Sequence, residues 1–259
     1  MAAEGKFIPL AEAAAMKEGL RCTGIEGLPG LYIVAVKSVY HVKKIPVIHV
    51  EHPGGDQSEL IRLTSQASNP VTWWADDYPR SAWIEQVQLA ERIGSGPELI
   101  PEDPALRAEV IGLCHSGLGS PGGLIFEKRN LMIPSGSSFA QKYFWSEERK
   151  EKAPARCVAL LKFVNGVLEK QKAKGSRFLC GDSLTAADIC WACSMIVVKV
   201  PEEDILPRYE RSKGPLAGFA SNPQEIEEAI TPLLVEHEMY ILKEFCDIPG
   251  LLVGKTNTY

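Results

Sequence analysis

Apolar and polar positions follow two different rhythms along this chain, and the change between them falls near residue 100. Leu20–Thr23 reads as a brief strand, ended by the turn-forming run from Gly24 to Gly30 that contains Gly27 and Pro29. From Leu31 to Val42, Tyr32, Val36, Val39 and Tyr40 fall near helical spacing. The β-branched residues in that stretch have poor helix propensity, so tertiary packing has to hold it. Ile45–Val50 is a compact β-branched run suited to a buried strand, His52-Pro-Gly-Gly-Asp56 is a turn, and Ser58–Ser65 is a short helix. After Asn69-Pro70 come a strand over Val71–Ala75, a turn over Asp76–Pro79, and an amphipathic helix from Ser81 to Ile93, closed by Gly94. Strands alternating with helices in this order predict a small α/β unit.

Two proline-bearing turns, Gly94-Ser-Gly-Pro97 and Pro101-Glu-Asp-Pro104, mark a linker, and strand signals nearly vanish after them. Pro104–Gly117 reads as a helix with proline in its first turn, and Gly117–Gly123 as a glycine-rich break. Pro154–Lys174 is a long helix with Val158, Leu161, Val164, Val167 and Leu168 on one stripe. A further long helix is expected from Asn222 to Cys246, with Asn222 as N-cap and Pro223 at the first position.

Composition narrows the function. The 259 residues carry a net charge of -5, with 45% hydrophobic and 24% charged residues. That is an ordinary globular balance with no electrostatic footprint for nucleic acid or an anionic membrane. No apolar run approaches a membrane span, and the start of the chain, with Glu4 and Glu12, reads neither as a signal peptide nor as an Arg-rich transit peptide. A cytoplasmic protein is expected. The seven cysteines are odd in number and scattered, which argues against a disulfide framework. Cys190-Trp-Ala-Cys193 lies inside a predicted helix rather than at its start, so it reads as packing rather than redox or metal chemistry.

Two segments carry a family pattern. In Arg177-Phe-Leu-Cys-Gly-Asp-Ser-Leu-Thr-Ala-Ala-Asp-Ile189, Gly181-Asp182 is a tight turn and Thr185 an N-cap. Asp188 can reach back to the Thr185 amide as a capping box, with Leu184 and Ile189 spaced as a hydrophobic staple. These devices contribute on the order of 1–2 kcal/mol to starting the helix. The segment closely resembles the turn-and-helix pattern in the C-terminal domain of the glutathione S-transferase superfamily, where it serves folding. The second segment, Asn69 to Arg92, resembles the glutathione-binding half-site of the same superfamily.

The resemblance implies a thioredoxin-like glutathione-binding domain over residues 1–94 (with 1–19 as an extension), a linker over 95–103, and a glutathione-transferase-like helical bundle over 104–259. It implies a cis bond at Pro70, with the backbone of Asn69 and Val71 holding the tripeptide, and a hydroxyl at a helix N-terminus, Ser81, receiving the γ-glutamyl carboxylate. Arg80 stands where the family has an acid. It is expected to help at the γ-glutamyl end, leaving Asp76, Asp77 or Glu85 to supply the missing charge. The thiol-activating position falls at Gly30 or Leu31, neither polar, so Tyr32 is the nearest candidate. It either donates to the glutathione thiolate or stacks in the core. His115 either lines the electrophile cleft or is an exposed helix histidine. The implied activity is thiolate attack on an apolar electrophile, or a glutathione-assisted isomerisation or elimination, by a homodimer. The alternative is a transferase fold kept for binding without turnover.

Overall fold

The computed structural model describes residues 6–255, which divide into two compact units. The first holds the chain up to Leu99 together with Glu202–Ser212 and the stretch from Leu242 onward; the second holds Ile100–Pro201 and Lys213–Ile241. The expected helical domain thus returns two segments to the first unit.

The first unit is built on β1 (Leu20–Gly24), β2 (Val47–Glu51) and β3 (Thr72–Trp74), in the order β2-β1-β3. β1 runs parallel to β2, with Cys22 opposite His49, and antiparallel to β3, with Cys22 opposite Thr72. Single bridges lengthen both edges, Ile8 beside Val50 and Arg80 beside Thr72. The expected extension therefore closes the outer edge of β2, where an unpaired strand would otherwise be open to other chains. Its helix α1 (Leu10–Ala15) and α3 (Ser58–Thr64) cover one face, where Leu10, Ala13, Val50, Leu60, Val71 and Trp73 form a core cluster. α2 (Leu31–Val42) and α4 (Trp83–Ile93) pack against each other beside the sheet. α2 spans the residues that the periodicity predicts, while α4 begins two residues later than expected, with Ala82 rather than Ser81 at its N-cap.

In the second unit, α5 (Pro104–Leu118), α6 (Leu124–Met132), α7 (Ser138–Lys142), α8 (Glu147–Ala173) and α9 (Ala186–Met195) precede α10 (Lys213–Ala220), α11 (Gln224–Ala229) and α12 (Pro232–Phe245); the last turn of α12, from Leu242, and α13 (Ile248–Leu252) belong to the first unit. α8 starts two turns before Pro154, because Ser146 caps it and Glu147 and Glu148 favour the positive end of its dipole. The single helix expected over Asn222–Cys246 is broken at Ile230-Thr231, since Pro232 has no N–H to continue it. Asn222 lies one residue outside the N-cap, which is Pro223, and donates to the Val198 carbonyl and the Glu227 carboxylate.

The capping box at α9 is formed: Asp188 accepts from the Thr185 amide at 2.9 Å, and both side chains are buried. Cys190 and Cys193 are buried within α9. No helix among the described residues is long and apolar enough to cross a membrane.

Between α2 and the sheet lies a buried ion-bearing pair. Lys37 Nζ donates to His49 Nδ1 at 2.9 Å and sits 4.7 Å from the Phe7 ring centroid. Burial pushes the Lys37 ammonium down to about 8, with Cys22 and Glu51 opposing. Burial, and then the neighbouring Lys37, hold the His49 imidazole down to about 2. The unfolded chain takes a proton at His49 below 6.5 while the folded chain does not. Stability is therefore full above that value and falls as pH drops toward the folded value, by about 2 kcal/mol near pH 5. Lys37 acts in the same direction, adding stability as pH rises from about 8 to 10.5. Urea unfolding across this range should show both limbs, and a Lys37→Met/His49→Leu double variant should flatten them.

Candidate functional site

The register brings the candidate residues to one end of the sheet. β1 ends at Gly24, and α2 begins after the following loop. β3 is antiparallel, so Pro70 and Val71, just before it, lie at that same end, as does Arg80 through its bridge to Thr72. Ligands of α/β sheets commonly bind at the carboxyl ends of the parallel strands.

The Asn69-Pro70 bond is cis. Thr23 holds Val71 on both sides: its hydroxyl accepts from the Val71 amide at 2.8 Å, and its own amide donates to the Val71 carbonyl at 2.9 Å. The Val71 backbone, expected to hold the tripeptide, is thus occupied within the sheet. The pair of main-chain groups left open is one residue earlier. Neither the N–H nor the C=O of Asn69 has a hydrogen bond among the described residues, and its Oδ1 is buried and unpartnered.

Gln86 on α4, fully buried, ties the two halves of the site together. Its Nε2 donates to the Pro70 carbonyl at 3.3 Å and to the Ser81 carbonyl at 3.1 Å, while its Oε1 accepts from the Thr72 hydroxyl at 2.7 Å. Pro70 and Ser81 are therefore within reach of one nitrogen. Ser81 stands beside the start of α4, whose N-cap Ala82 makes no side-chain cap, so the amides of Trp83, Ile84 and Glu85 point out of the helix end toward the positive pole of its dipole. A polar residue inside an otherwise apolar face was the only sequence signal for Gln86; Thr23 gave none, because its partner is 48 residues away.

Arg80 does not serve as the ligand-facing cation expected of it. Its guanidinium donates to Asp77 Oδ2 and to the Tyr78 carbonyl, both at 2.9 Å, and lies 3.9 Å over the Tyr78 ring. Asp77 also pairs with Arg92, and the two guanidinium groups, Arg92 first, hold its carboxyl below the usual range. Of the three candidate acids, Asp77 is thereby neutralised, whereas Glu85 sits in the first turn of α4.

Tyr32 is the second residue of α2, with a buried phenol oxygen. Gly30 is the N-cap, with no side-chain cap, and Leu31 is buried. The loop before α2 is fixed from the far end of the chain. The Gly27 amide donates to the Leu252 carbonyl at 2.9 Å, and Gly27 has a φ of +70°, where a Cβ would press on Tyr209 at 3.2 Å. Burial pushes the Cys22 thiol up, which disfavours a thiolate there. His115, in the second unit, is exposed on the last turn of α5, its ring lying over Gly119 where a Cβ would meet Nε2 at 2.6 Å.

A small α/β unit of thioredoxin type joined to a helical unit carrying a capped α9 is the glutathione S-transferase fold, and the chain has that fold. Solved structures similar to it include a glutathione S-transferase domain-containing protein of Marinobacter aquaeolei VT8, 18% identical with a TM-score of 0.60 over 86% of this chain and 98% of the other. The Tau class glutathione S-transferase of mango, Mangifera indica, is 18% identical with a TM-score of 0.54, over 92% and 97% of the two chains. A maleylacetoacetate isomerase from Methylobacterium extorquens AM1, solved with malonate and glutathione bound, is 19% identical with a TM-score of 0.51, over 86% and 97%. No family model and no curated protein matches the sequence.

Proposed function

We propose that this end of the sheet binds glutathione, and that the protein is a glutathione S-transferase-like enzyme acting on an apolar electrophile. The observation that carries the reading is the Gln86 clamp. It holds Ser81 and the start of α4 beside the open main-chain pair of Asn69. An extended tripeptide pairs its cysteinyl backbone with such an open N–H and C=O. Its γ-glutamyl carboxylate is received by the Ser81 hydroxyl and the first amides of α4, favoured by the dipole. Glu85 takes the ammonium group in place of the family's acid. Pro70 and Val71 shape the strand entry without contacting the ligand through their own hydrogen bonds, and Arg80 braces the turn before Ser81. By the same resemblance the protein works as a cytoplasmic homodimer.

In the reaction, the glutathione thiol loses its proton to solvent and Tyr32 donates to the resulting thiolate. The sulfur forms a bond to the electrophilic carbon. The leaving group departs with its electron pair or, in an addition, the neighbouring atom takes up a proton. In an isomerisation or elimination the sulfur–carbon bond forms and then breaks again, regenerating glutathione.

A second reading, binding without turnover, is favoured by one observation: the usual activating position, Gly30 or Leu31, has no polar side chain. Calorimetry with glutathione and a conjugation assay with 1-chloro-2,4-dinitrobenzene separate the two. The enzyme reading expects Tyr32→Phe to keep glutathione affinity and lower kcat/KM by about 100-fold. Binding by the unaltered protein with no conjugation supports the second reading, and absence of binding removes both.

A further inference from the structure

The segment 6–9 lies along the outer edge of β2 and has no part in the glutathione reading. Two main-chain hydrogen bonds hold it there, from the Ile8 amide to the His49 carbonyl and from the Glu51 amide to the Ile8 carbonyl, both at 2.9 Å. Beyond Pro9, α1 is fixed separately. Leu10 and Ala13 are packed into the core cluster, and Arg21 donates to the carbonyls of Ala13 at 3.3 Å and Met16 at 2.7 Å. One end of this stretch is therefore firmly docked and the other lightly held.

Phe7 sits in the lightly held end, and its ring covers the Lys37–His49 pair. The ring centroid is 4.7 Å from Lys37 Nζ and 5.3 Å from that of the imidazole. Lys37 and His49 are buried, whereas Phe7 is half-buried, so this ring stands between the pair and solvent. The Lys37 ammonium donates to His49 Nδ1, which makes that nitrogen the acceptor and leaves the pair with one charge. A second proton has to enter at Nδ1. It destroys the hydrogen bond and sets two cations 2.9 Å apart in a dry space. The groups facing the pair give little relief. From β1 comes the Cys22 thiol, which burial pushes up and keeps neutral, and from the far side the backbone of Lys255. From β2 comes Glu51, already accepting from the Glu26 amide at 3.3 Å and paired with Arg211 at 3.5 Å. The segment's own charge, Lys6, is exposed and of the same sign as the pair.

We propose that residues 6–9 form a proton-operated strap: a second proton on the Lys37–His49 pair lifts Phe7 away and bares the outer edge of β2, while α1 stays docked. The opening gives up two main-chain bonds and one ring's contacts, and it lets water reach both cations. Pro9, extended at φ −60° and ψ 149°, is the pivot. The bared edge presents the His49 carbonyl and the Glu51 amide, a template on which another strand can pair.

Native-state hydrogen exchange of the whole protein, read amide by amide at pH 7 and pH 5 with and without low urea, tests the strap. The opened imidazole takes its proton near the ordinary value of 6.5, while the closed one does not. Protection of the Ile8 and Glu51 amides, corrected for intrinsic exchange, should therefore fall about 20-fold between the two pH values. That exchange should be insensitive to urea, as a local opening is, whereas the Thr23 amide, bonded to the Val71 carbonyl, should follow global unfolding. His49→Gln keeps an acceptor but cannot titrate, and it should abolish the pH dependence at Ile8 and Glu51. Phe7→Ala, a change at the surface of the segment, should speed exchange at both amides about tenfold at either pH. The proposal is overturned if Ile8 and Glu51 exchange with the same urea dependence as Thr23, or if their protection ignores pH. It is equally overturned if His49→Gln keeps the full pH dependence, or if Phe7→Ala exchanges like the parent protein.

Discussion

Asp188→Ala is expected to destabilise the protein by about 3–5 kcal/mol, a large share of a typical domain's stability. The carboxylate has no exposure and accepts four hydrogen bonds, from Leu179, from the amide and hydroxyl of Thr185, and from His237. Truncation removes the acceptor but leaves two main-chain amides and an imidazole buried, each costing its own desolvation. Asp188→Asn keeps the shape and part of the accepting capacity, so it should cost less. Urea unfolding followed by far-ultraviolet dichroism reads the difference. A loss below 1 kcal/mol for the alanine variant would mean that α9 starts without its box.

Gln86→Leu is expected to cost about 2–3 kcal/mol and to lower glutathione affinity by about tenfold. Leucine matches the volume, so packing survives, but the Thr72 hydroxyl and the carbonyls of Pro70 and Ser81 lose their partner together. The Asn69 and Ser81 halves of the site then lose their fixed spacing, and the ligand has to order them on binding. Gln88→Leu, the same chemical change on the exposed side of α4, is the control and should leave both quantities nearly unchanged. Equal effects at the two positions would show that Gln86 has no part in positioning.

Local signals in the sequence suffice where the chain's own neighbours decide the structure. α2 begins after Gly30 and ends before the turn at Lys43-Lys44, both set by residues adjacent in sequence. The Thr185/Asp188 box is similarly local, three residues apart. Proline is an ambiguous signal, because its position alone does not say whether it starts a helix or is carried inside one. Pro154 lies inside α8, where Ser146 supplies the cap, and Pro232 divides what periodicity joins into α11 and α12.

The site was legible only in outline. Asn69, Pro70 and Ser81 do meet at one end of the sheet, yet which backbone is open depends on Thr23, far away in sequence. The role of Arg80 turned on the local fold of the 76–80 turn, which draws its guanidinium onto Asp77 and Tyr78. The Lys37–His49 pair and the return of Leu252 to Gly27 are long-range contacts with no periodic signature.

The most direct measurement is an amide-resolved 15N–1H titration of the protein with glutathione. Saturable shifts are expected, led by the amides of Asn69, Ser81, Trp83, Ile84 and Glu85, with Val71, pinned to Thr23, moving less. Binding that leaves those amides still while perturbing another surface, or no saturable shift anywhere, would contradict the glutathione reading.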